Sequence, residues 1–294
     1  MRSKRNNNLI LLTYYILISL VSINVRKPVL AFTPAVYEPN IKEMKNKSKG
    51  FGEIAAQLLY FGENKKAIQV ANLAVKLNPK EEKLWGILAE AQMRSKDLIS
   101  ARNSLKQAQI LNPGEAVYYF KEASIDFEIN KINNSIHLIE IGLSIDPKNP
   151  NGYFQLGNSR MRLKEYKKAL LAFEKANDLK PTFWQSINNQ ALVLYEINSK
   201  EKAIKLWEKV IELNADAEPM LALAAAKYQK DNKDKKSIDF AKKALLKSPI
   251  YVHKSHQKDQ LWGDELLKAA NELFKAPELK KAVSQAIANS RIKD

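Results

Sequence analysis

The sequence predicts an all-α fold in which about six helix pairs stack into a solenoid. Its composition favours helix, because Ala, Leu, Lys, Glu and Gln are frequent while only 9 of the 294 residues are glycine. A period of 34 residues appears in the prolines at Pro79, Pro113, Pro147 and Pro181, and Pro249 restores it after a gap. Proline cannot continue a helix, so each of these residues marks a junction between two helices.

The period divides the central part of the chain into six repeats. We place them at 48–81, 82–115, 116–149, 150–183, 184–217 and 218–249. Their eighth, twentieth and twenty-seventh positions hold Ala, Gly or Ser in seventeen of eighteen cases, with Val210 as the exception. Small side chains at fixed positions let neighbouring helices approach closely, so the period also predicts how the helices pack.

The fourth repeat carries the pattern most completely. In it, Tyr153, Leu156 and Gly157 are followed by Ala169, Phe173, Ala176 and finally Pro181. This order is similar to that of the tetratricopeptide repeat, a 34-residue helix–turn–helix unit. The resemblance implies a right-handed α-solenoid whose concave wall is built by the first helix of every repeat. It also implies non-catalytic binding of other proteins in that groove, as an extended peptide or a helical segment.

The last part of the chain departs from the period. Ala215 stands where a proline is expected, and we expect Pro219 to start the sixth repeat in its place. After Pro249 the period ends, and residues 250–294 predict two capping helices, one near Asp259–Lys275 and one from Pro277. A terminal cap needs a polar outer face, which both of these segments offer.

Residues 1–31 predict a signal peptide or a membrane anchor. Residues 1–8 are polar and basic, and residues 9–25 are almost wholly apolar. Small residues at Val29 and Ala31 suit cleavage before Phe32. The apolar run spans roughly 25 Å, which is short for a bilayer core of about 30 Å. Cleavage is opposed by the positive charges that directly follow the run, because such charges resist translocation. Both alternatives stay open.

Either alternative places the folded part outside the cytoplasm, in the periplasm or the thylakoid lumen. Membrane association would run through residues 9–25, and residues 32–47 predict a linker.

Composition excludes several kinds of chemistry. The chain has no cysteine, so disulfides, thiolate metal sites, cysteine nucleophiles and cysteine-linked lipid anchors are excluded. Its net charge of +16 is spread over a lysine-rich surface of mixed sign, and no nucleic-acid-binding module is recognisable. We find no catalytic motif, and we expect no cofactor, no metal and no enzymatic activity. The alternative is a metal or enzymatic site at His253 and His256 with Asp259.

The resemblance also implies which residues face the groove. Carried over onto this chain, its inward positions are Phe120, Phe127, Phe154, Asn158, Met161, Arg162, Asn189, Tyr195 and Glu196. An asparagine amide both donates and accepts hydrogen bonds, so Asn158 and Asn189 would bind a peptide backbone of any sequence. The cations with which some family members hold an acidic C-terminal tail are missing, since Phe154, Pro219 and Leu223 occupy their places.

These expectations combine into one functional hypothesis. The chain is an exported or membrane-anchored scaffold or assembly factor for a membrane complex, such as a photosystem. The alternative is a structural array that associates with itself through its helical faces.

Overall fold

The computed structural model describes residues 40–232 and 234–290, and these residues form helices without any β-strand. The repeat helices are α1 (Ile41–Tyr60), α2 (Asn64–Leu77), α3 (Glu82–Arg94), α4 (Leu98–Leu111), α5 (Ala116–Glu128), α6 (Ile132–Ile145), α7 (Pro150–Arg162), α8 (Tyr166–Leu179), α9 (Trp184–Glu196), α10 (Lys200–Leu213), α11 (Ala217–Lys230) and α12 (Lys235–Lys247). They are followed by α13 (Lys254–Asp259), α14 (Asp264–Phe274) and α15 (Lys280–Asn289), with 3₁₀ helices at Pro249–Val252 and Pro277–Leu279. The all-α architecture is confirmed.

The predicted signal peptide or anchor lies outside the described residues. Within the part of the chain that the structure describes, no helix is both long enough and apolar enough to cross a bilayer.

From α2 to α12, each helix packs against the next one along the chain. The first helices of successive repeats also touch each other directly, α5 against α7 and α7 against α9. These helices therefore form one continuous wall, which is where the resemblance places the groove.

The small residues of the period lie where helices meet. All eighteen are buried, including Val210, the one larger side chain. Gly157 shows why size matters, because a methyl group at this position would lie 2.7 Å from both Cδ1 and Cζ of Phe173. The register read from the sequence is therefore the register of the packing.

A left-handed residue ends the first helix of each of the first five repeats. Residues with positive φ recur every 34 positions, at Gly62, Lys96, Asn130, Lys164 and Asn198. After each of them, the next backbone N–H donates to the carbonyl oxygen five residues earlier, at distances of 2.7–2.9 Å. This is the hydrogen bond of a Schellman cap, and it closes the helix before the turn.

The second helices end in a residue with strongly negative φ directly before the proline position. Asn78 (φ −144°) and Asn112 (φ −143°) precede prolines, and Asn214 (φ −158°) takes a similar conformation before Ala215. The next helix, α11, then begins at Ala217, whose N–H donates to Asp216 Oδ1 at 2.8 Å. Our expectation that Pro219 starts this helix is wrong, because the Asp216 carboxylate caps it two residues earlier.

The C-terminal segment closes the end of the stack and also covers part of the wall. Helix α15 packs against α12, whereas α14 packs against α11 and α9, the first helices of repeats six and five. Nine residues of α11 are buried, so neighbouring helices must pack against both of its sides. Leu266 and Leu273 of α14 are fully buried. Helix α14 begins at Asp264, five residues after the expected start near Asp259.

Candidate functional site: a groove along α5, α7 and α9

Three of the expected groove residues are interior residues. Phe120 is 6% exposed, Met161 5% and Tyr195 1%. The Phe120 ring lies against Gly142 and Gly152, where a methyl group on either glycine would come within 3 Å of it. The expectation that these three side chains are available to a partner is therefore wrong.

The burial of Met161 and Tyr195 has a physical reason. They occupy the same repeat position as Phe127, which is only partly buried. Met161 and Tyr195 belong to the large hydrophobic cluster that contains Leu266 of α14, and Tyr195 also packs against Trp207 at a ring distance of 5.7 Å. Helix α14 therefore closes the groove towards its C-terminal end, which no repeat position can indicate.

Glu196 is also part of this closure. Its carboxylate accepts the backbone N–H groups of Glu265 at 3.2 Å and Leu266 at 3.0 Å, and so caps the start of α14. Gly263 leaves room for this contact, because a side chain there would overlap the Glu196 carboxylate. Burial raises the pKa of Glu196, and the two N–H groups partly oppose that rise. Expected in the groove, Glu196 instead holds the C-terminal segment in place.

The remaining expected residues border the open part of the groove. Phe127, Phe154 and Asn158 are partly buried, whereas Arg162 is exposed. The Arg162 guanidinium lies 5.0 Å from the centre of the Phe127 ring, a cation–π contact that orients both side chains. Phe154 packs against Phe183 at a ring distance of 5.0 Å, so only part of its ring is available.

Asparagine amides connect the groove to the core. Asn189 Nδ2 donates to Asn158 Oδ1 at 2.8 Å, and Asn188 Nδ2 donates to Asn189 Oδ1 at 3.1 Å. Trp207 Nε1 in turn donates to Asn188 Oδ1 at 3.1 Å. Asn189 is only 9% exposed and acts mainly as a link in this chain. Asn158 Nδ2 has no acceptor among the described residues, which leaves this amide group for a partner.

Two adjoining cavities follow the wall. A small cavity of about 130 Å³ is lined by residues of α5, α6 and α7, among them Phe127, Gln155 and Asn158. The Gln155 Oε1 atom is buried without a hydrogen-bond donor in the described part of the chain. A buried acceptor without a donor is energetically costly, so this atom favours a ligand that brings an N–H or O–H group.

The second cavity, here called the end cavity, has a volume of about 380 Å³. Phe127 and Asn158 line it too, so the two cavities adjoin each other. Its other walls come from α9, the start of α11, and the stretch from Tyr251 to Leu261. The chain folded back after Pro249 thus forms the far wall of the groove.

Glu218 is the most unusual side chain of the end cavity. Its Oε1 accepts the Trp262 Nε1–H at 3.1 Å, and Asn188 and Tyr251 also hydrogen-bond to its carboxylate. Burial raises the pKa of Glu218 to about 7, although the bonds from Trp262 and Asn188 act to lower it. The carboxylate is therefore held by neutral donors in a place that disfavours its charge.

The two histidines of the alternative metal site have separate partners. His253 Nε2 lies 2.7 Å from Ser290 Oγ, while the His256 ring meets the Tyr251 ring edge-on at 4.6 Å. Burial lowers the pKa of His256. Among the described residues, no group of three or more His, Asp or Glu side chains is arranged to hold a metal ion.

Comparison with known proteins agrees with the repeat register. The family model described as "Tetratricopeptide repeat" matches residues 150–183. These residues contain α7 and α8, and so supply the central part of the groove.

The fold is also similar to solved structures. PilF of Pseudomonas aeruginosa matches with a TM-score of 0.62 at 14% identity, over 74% of this chain and 97% of that chain. PilW, described as a widely conserved type IV pilus biogenesis factor, matches with a TM-score of 0.61 at 15% identity, over 75% and 97%. The APC/C hetero-tetramer Cut9–Hcn1 matches with a TM-score of 0.64 at 15% identity, over 78% of this chain and 45% of that chain. The predicted solenoid fold is confirmed.

Several residues of the site escaped the sequence reasoning. Asn188, Glu218 and Tyr251 lie outside the repeat positions that the resemblance assigns to the groove. One signal was available, since Glu218 is an acid directly before the apolar stretch 219–226. The contribution of Tyr251 depends on how the chain folds back, and the sequence carries no comparable signal for that.

Proposed function

We propose that this chain is a non-catalytic scaffold or assembly factor that binds an extended segment of a partner protein along α5, α7 and α9. The observation that carries the proposal is the pair of adjoining cavities that share Phe127 and Asn158. Fold similarity alone is a weak argument for function, whereas this groove offers specific contacts.

The contacts favour an extended segment over a helical one. An extended peptide carries free backbone N–H and C=O groups, whereas a helix satisfies most of its own. Gln155 Oε1 lacks a donor and Asn158 Nδ2 lacks an acceptor within the described residues, so a peptide backbone would supply both. The partly open Phe127 ring would take an apolar side chain of the same segment.

Affinity capture with matched variants tests the groove. Phe127→Ala combined with Asn158→Ala removes two groove contacts, and Leu171→Ala on α8 is the control, since Leu171 is 66% exposed and does not line either cavity. We leave Asn189 unchanged, because its loss would break two hydrogen bonds of the amide chain, one to Asn158 and one from Asn188, whereas the loss of Asn158 breaks only one. Capture from the membranes of the source cells should fall at least tenfold for the double variant and stay unchanged for the control. Equal capture by both variants, with unchanged helicity, would contradict the proposal.

The location outside the cytoplasm remains part of the proposal and rests on residues 1–31. Sequencing the N-terminus of the protein recovered from its own cells tests it. A chain that starts at Phe32 supports a cleaved signal, and an intact chain that resists alkaline extraction of the membranes supports an anchor. An intact chain in the cytoplasmic fraction would contradict both.

The self-associating array remains the competing function. Sedimentation of the full chain alone separates the two, because an array predicts a mass that grows with protein concentration. A single monomeric species over a hundredfold range of concentration supports the scaffold.

A further inference from the structure

The end cavity differs in charge from the rest of the chain. Apart from the Tyr251 hydroxyl, the ionisable groups that line it are Asp216, Glu218 and Asp259, and among the described residues no Lys, Arg or His lines it. The chain as a whole carries +16. A concave, acidic cavity on a basic protein favours a cationic ligand by charge complementarity.

Glu218 has no cationic partner among the described residues, in contrast to Asp216. Asp216 is paired with Lys247, whose Nζ lies 3.2 Å from Asp216 Oδ1. Glu218 is held by Trp262, Asn188 and Tyr251, which are all neutral donors. A partner of opposite charge would favour the charged form of this partly buried carboxylate, because neutral hydrogen bonds offset only part of its desolvation.

The walls suit a cation on an aliphatic stem. Phe127, Phe154, Trp184 and Tyr251 line the same cavity, so aromatic surface lies next to the acids. Lysine and arginine side chains bury their methylene groups on apolar surface, and their charged heads interact favourably with aromatic faces. A volume of about 380 Å³ lies within the usual range of binding pockets, about 300–1,000 Å³.

We propose that the end cavity binds a lysine or arginine side chain of the extended partner segment, with its stem against the aromatic walls and its charged head at Glu218. This inference rests on the proposed function, since it names the side chain that the groove selects. The partner segment would therefore carry a positive charge, in contrast to the acidic C-terminal tail that some family members hold.

The four tryptophans provide the readout. Trp184 lines the end cavity and Trp262 Nε1 donates to Glu218, whereas Trp85 lies in the second repeat and its Nε1 donates to the Pro79 carbonyl oxygen. Titration of the full chain, with ¹⁵N-labelled indoles, uses capped nine-residue Ser/Val peptides with lysine, norleucine or glutamate at the centre. We expect the lysine peptide to shift the Trp184 and Trp262 signals and to leave Trp85 in place. The norleucine and glutamate peptides should bind at least tenfold more weakly.

Variants separate the contribution of the Glu218 carboxylate to peptide binding from any effect on folding. Glu218→Gln keeps an acceptor for Trp262 and should weaken the lysine peptide at least tenfold. Asp259→Asn, at the exposed rim, should weaken it two- to threefold. The control, Glu212→Gln, replaces an exposed acid on α10 and should have no effect. An unchanged Trp85 signal in each variant verifies that the repeats remain folded.

Three results would overturn the inference: equal binding of the lysine and norleucine peptides, no shift with any peptide, or Trp262 shifts that follow protein concentration alone and so indicate a second copy of the chain. None of these results changes the outcome expected in the capture experiment, so the two proposals can fail separately. Loss of capture in the Phe127/Asn158 variant without any lysine preference would retain the groove and reject the lysine pocket. A lysine preference without that loss would retain the lysine pocket and reject the groove.

Discussion

Replacing Gly157 by alanine tests the packing register most sharply. A methyl group there would lie 2.7 Å from two carbon atoms of the Phe173 ring, which is fully buried and cannot move aside freely. Overpacking of this kind costs about 1–3 kcal/mol, whereas the helix propensity of alanine returns up to about 1 kcal/mol. We expect the free energy of unfolding to fall by about 1–2 kcal/mol, measured by urea denaturation followed by far-ultraviolet circular dichroism.

The chain offers both a control and a rescue for this prediction. Gly50 in α1 has no neighbour within 4 Å of the added methyl group, so Gly50→Ala should stabilise the protein by about 0.5–1 kcal/mol. The second repeat pairs Ala89 with Leu105 at the equivalent positions. Adding Phe173→Leu to Gly157→Ala reproduces that pair and should recover about 1 kcal/mol relative to additive losses. If Gly157→Ala were as stabilising as Gly50→Ala, the register argument would be refuted.

Three further predictions concern the turns and the end cavity. Lys96→Gly should raise the free energy of unfolding by about 0.5–1 kcal/mol, because Lys96 has φ 62° and glycine adopts positive φ without strain. The control, Lys148→Gly, lies in a turn without positive φ and should give no such rise. Equal effects of the two substitutions in thermal unfolding would contradict this. Ala215→Pro should add about 0.4–1 kcal/mol in the same assay by restoring the missing proline, and a loss would show that the turn excludes proline. Since the pKa of Glu218 is raised from 4.5 to about 7, its contribution to stability is present below pH 4.5 and is lost as the pH rises to 7, by up to about 3 kcal/mol. Glu218→Gln should remove this fall in urea midpoint, and an identical pH profile in the variant would contradict the assignment.

The repetitive part of the fold was predictable because it depends on local, periodic signals. Proline and small residues act within one or two turns of helix, so their spacing is enough to locate junctions and contacts. The left-handed turn residues were equally periodic but less visible. Gly62, Asn130 and Asn198 are of residue types that favour that conformation, whereas the lysines Lys96 and Lys164 give no indication of it.

The groove was predictable only where nothing else covers the wall. Phe127 and Met161 share one repeat position, yet Met161 belongs to the hydrophobic cluster that includes Leu266 of α14, whereas Phe127 is partly open. This difference arises from a contact between segments about a hundred residues apart, illustrated by the 2.9 Å ion pair of Lys164 with Asp264. Repeat statistics describe an average solenoid and carry no information about such a contact.

The acidic end cavity was missed for the same reason. Asp216 and Glu218 lie at the start of α11, and Asp259 follows the last repeat. Only the return of the chain after Pro249 brings them to one cavity with the aromatic walls. Prediction from sequence would therefore have required the tertiary arrangement of the stretch from Tyr251 to Leu261 first.

Site-directed cross-linking tests the central claim, that a partner segment lies in the groove along α5, α7 and α9. The chain has no cysteine, so Arg162→Cys, at the exposed groove border beside Phe127, and Leu171→Cys each give one attachment point for a benzophenone probe. After illumination with solubilised membranes of the source cells, mass spectrometry identifies the attached peptide. The account predicts that position 162 yields one extended segment with a lysine or arginine, while position 171 yields no such adduct. The same adducts from both positions, or none from position 162, would contradict it.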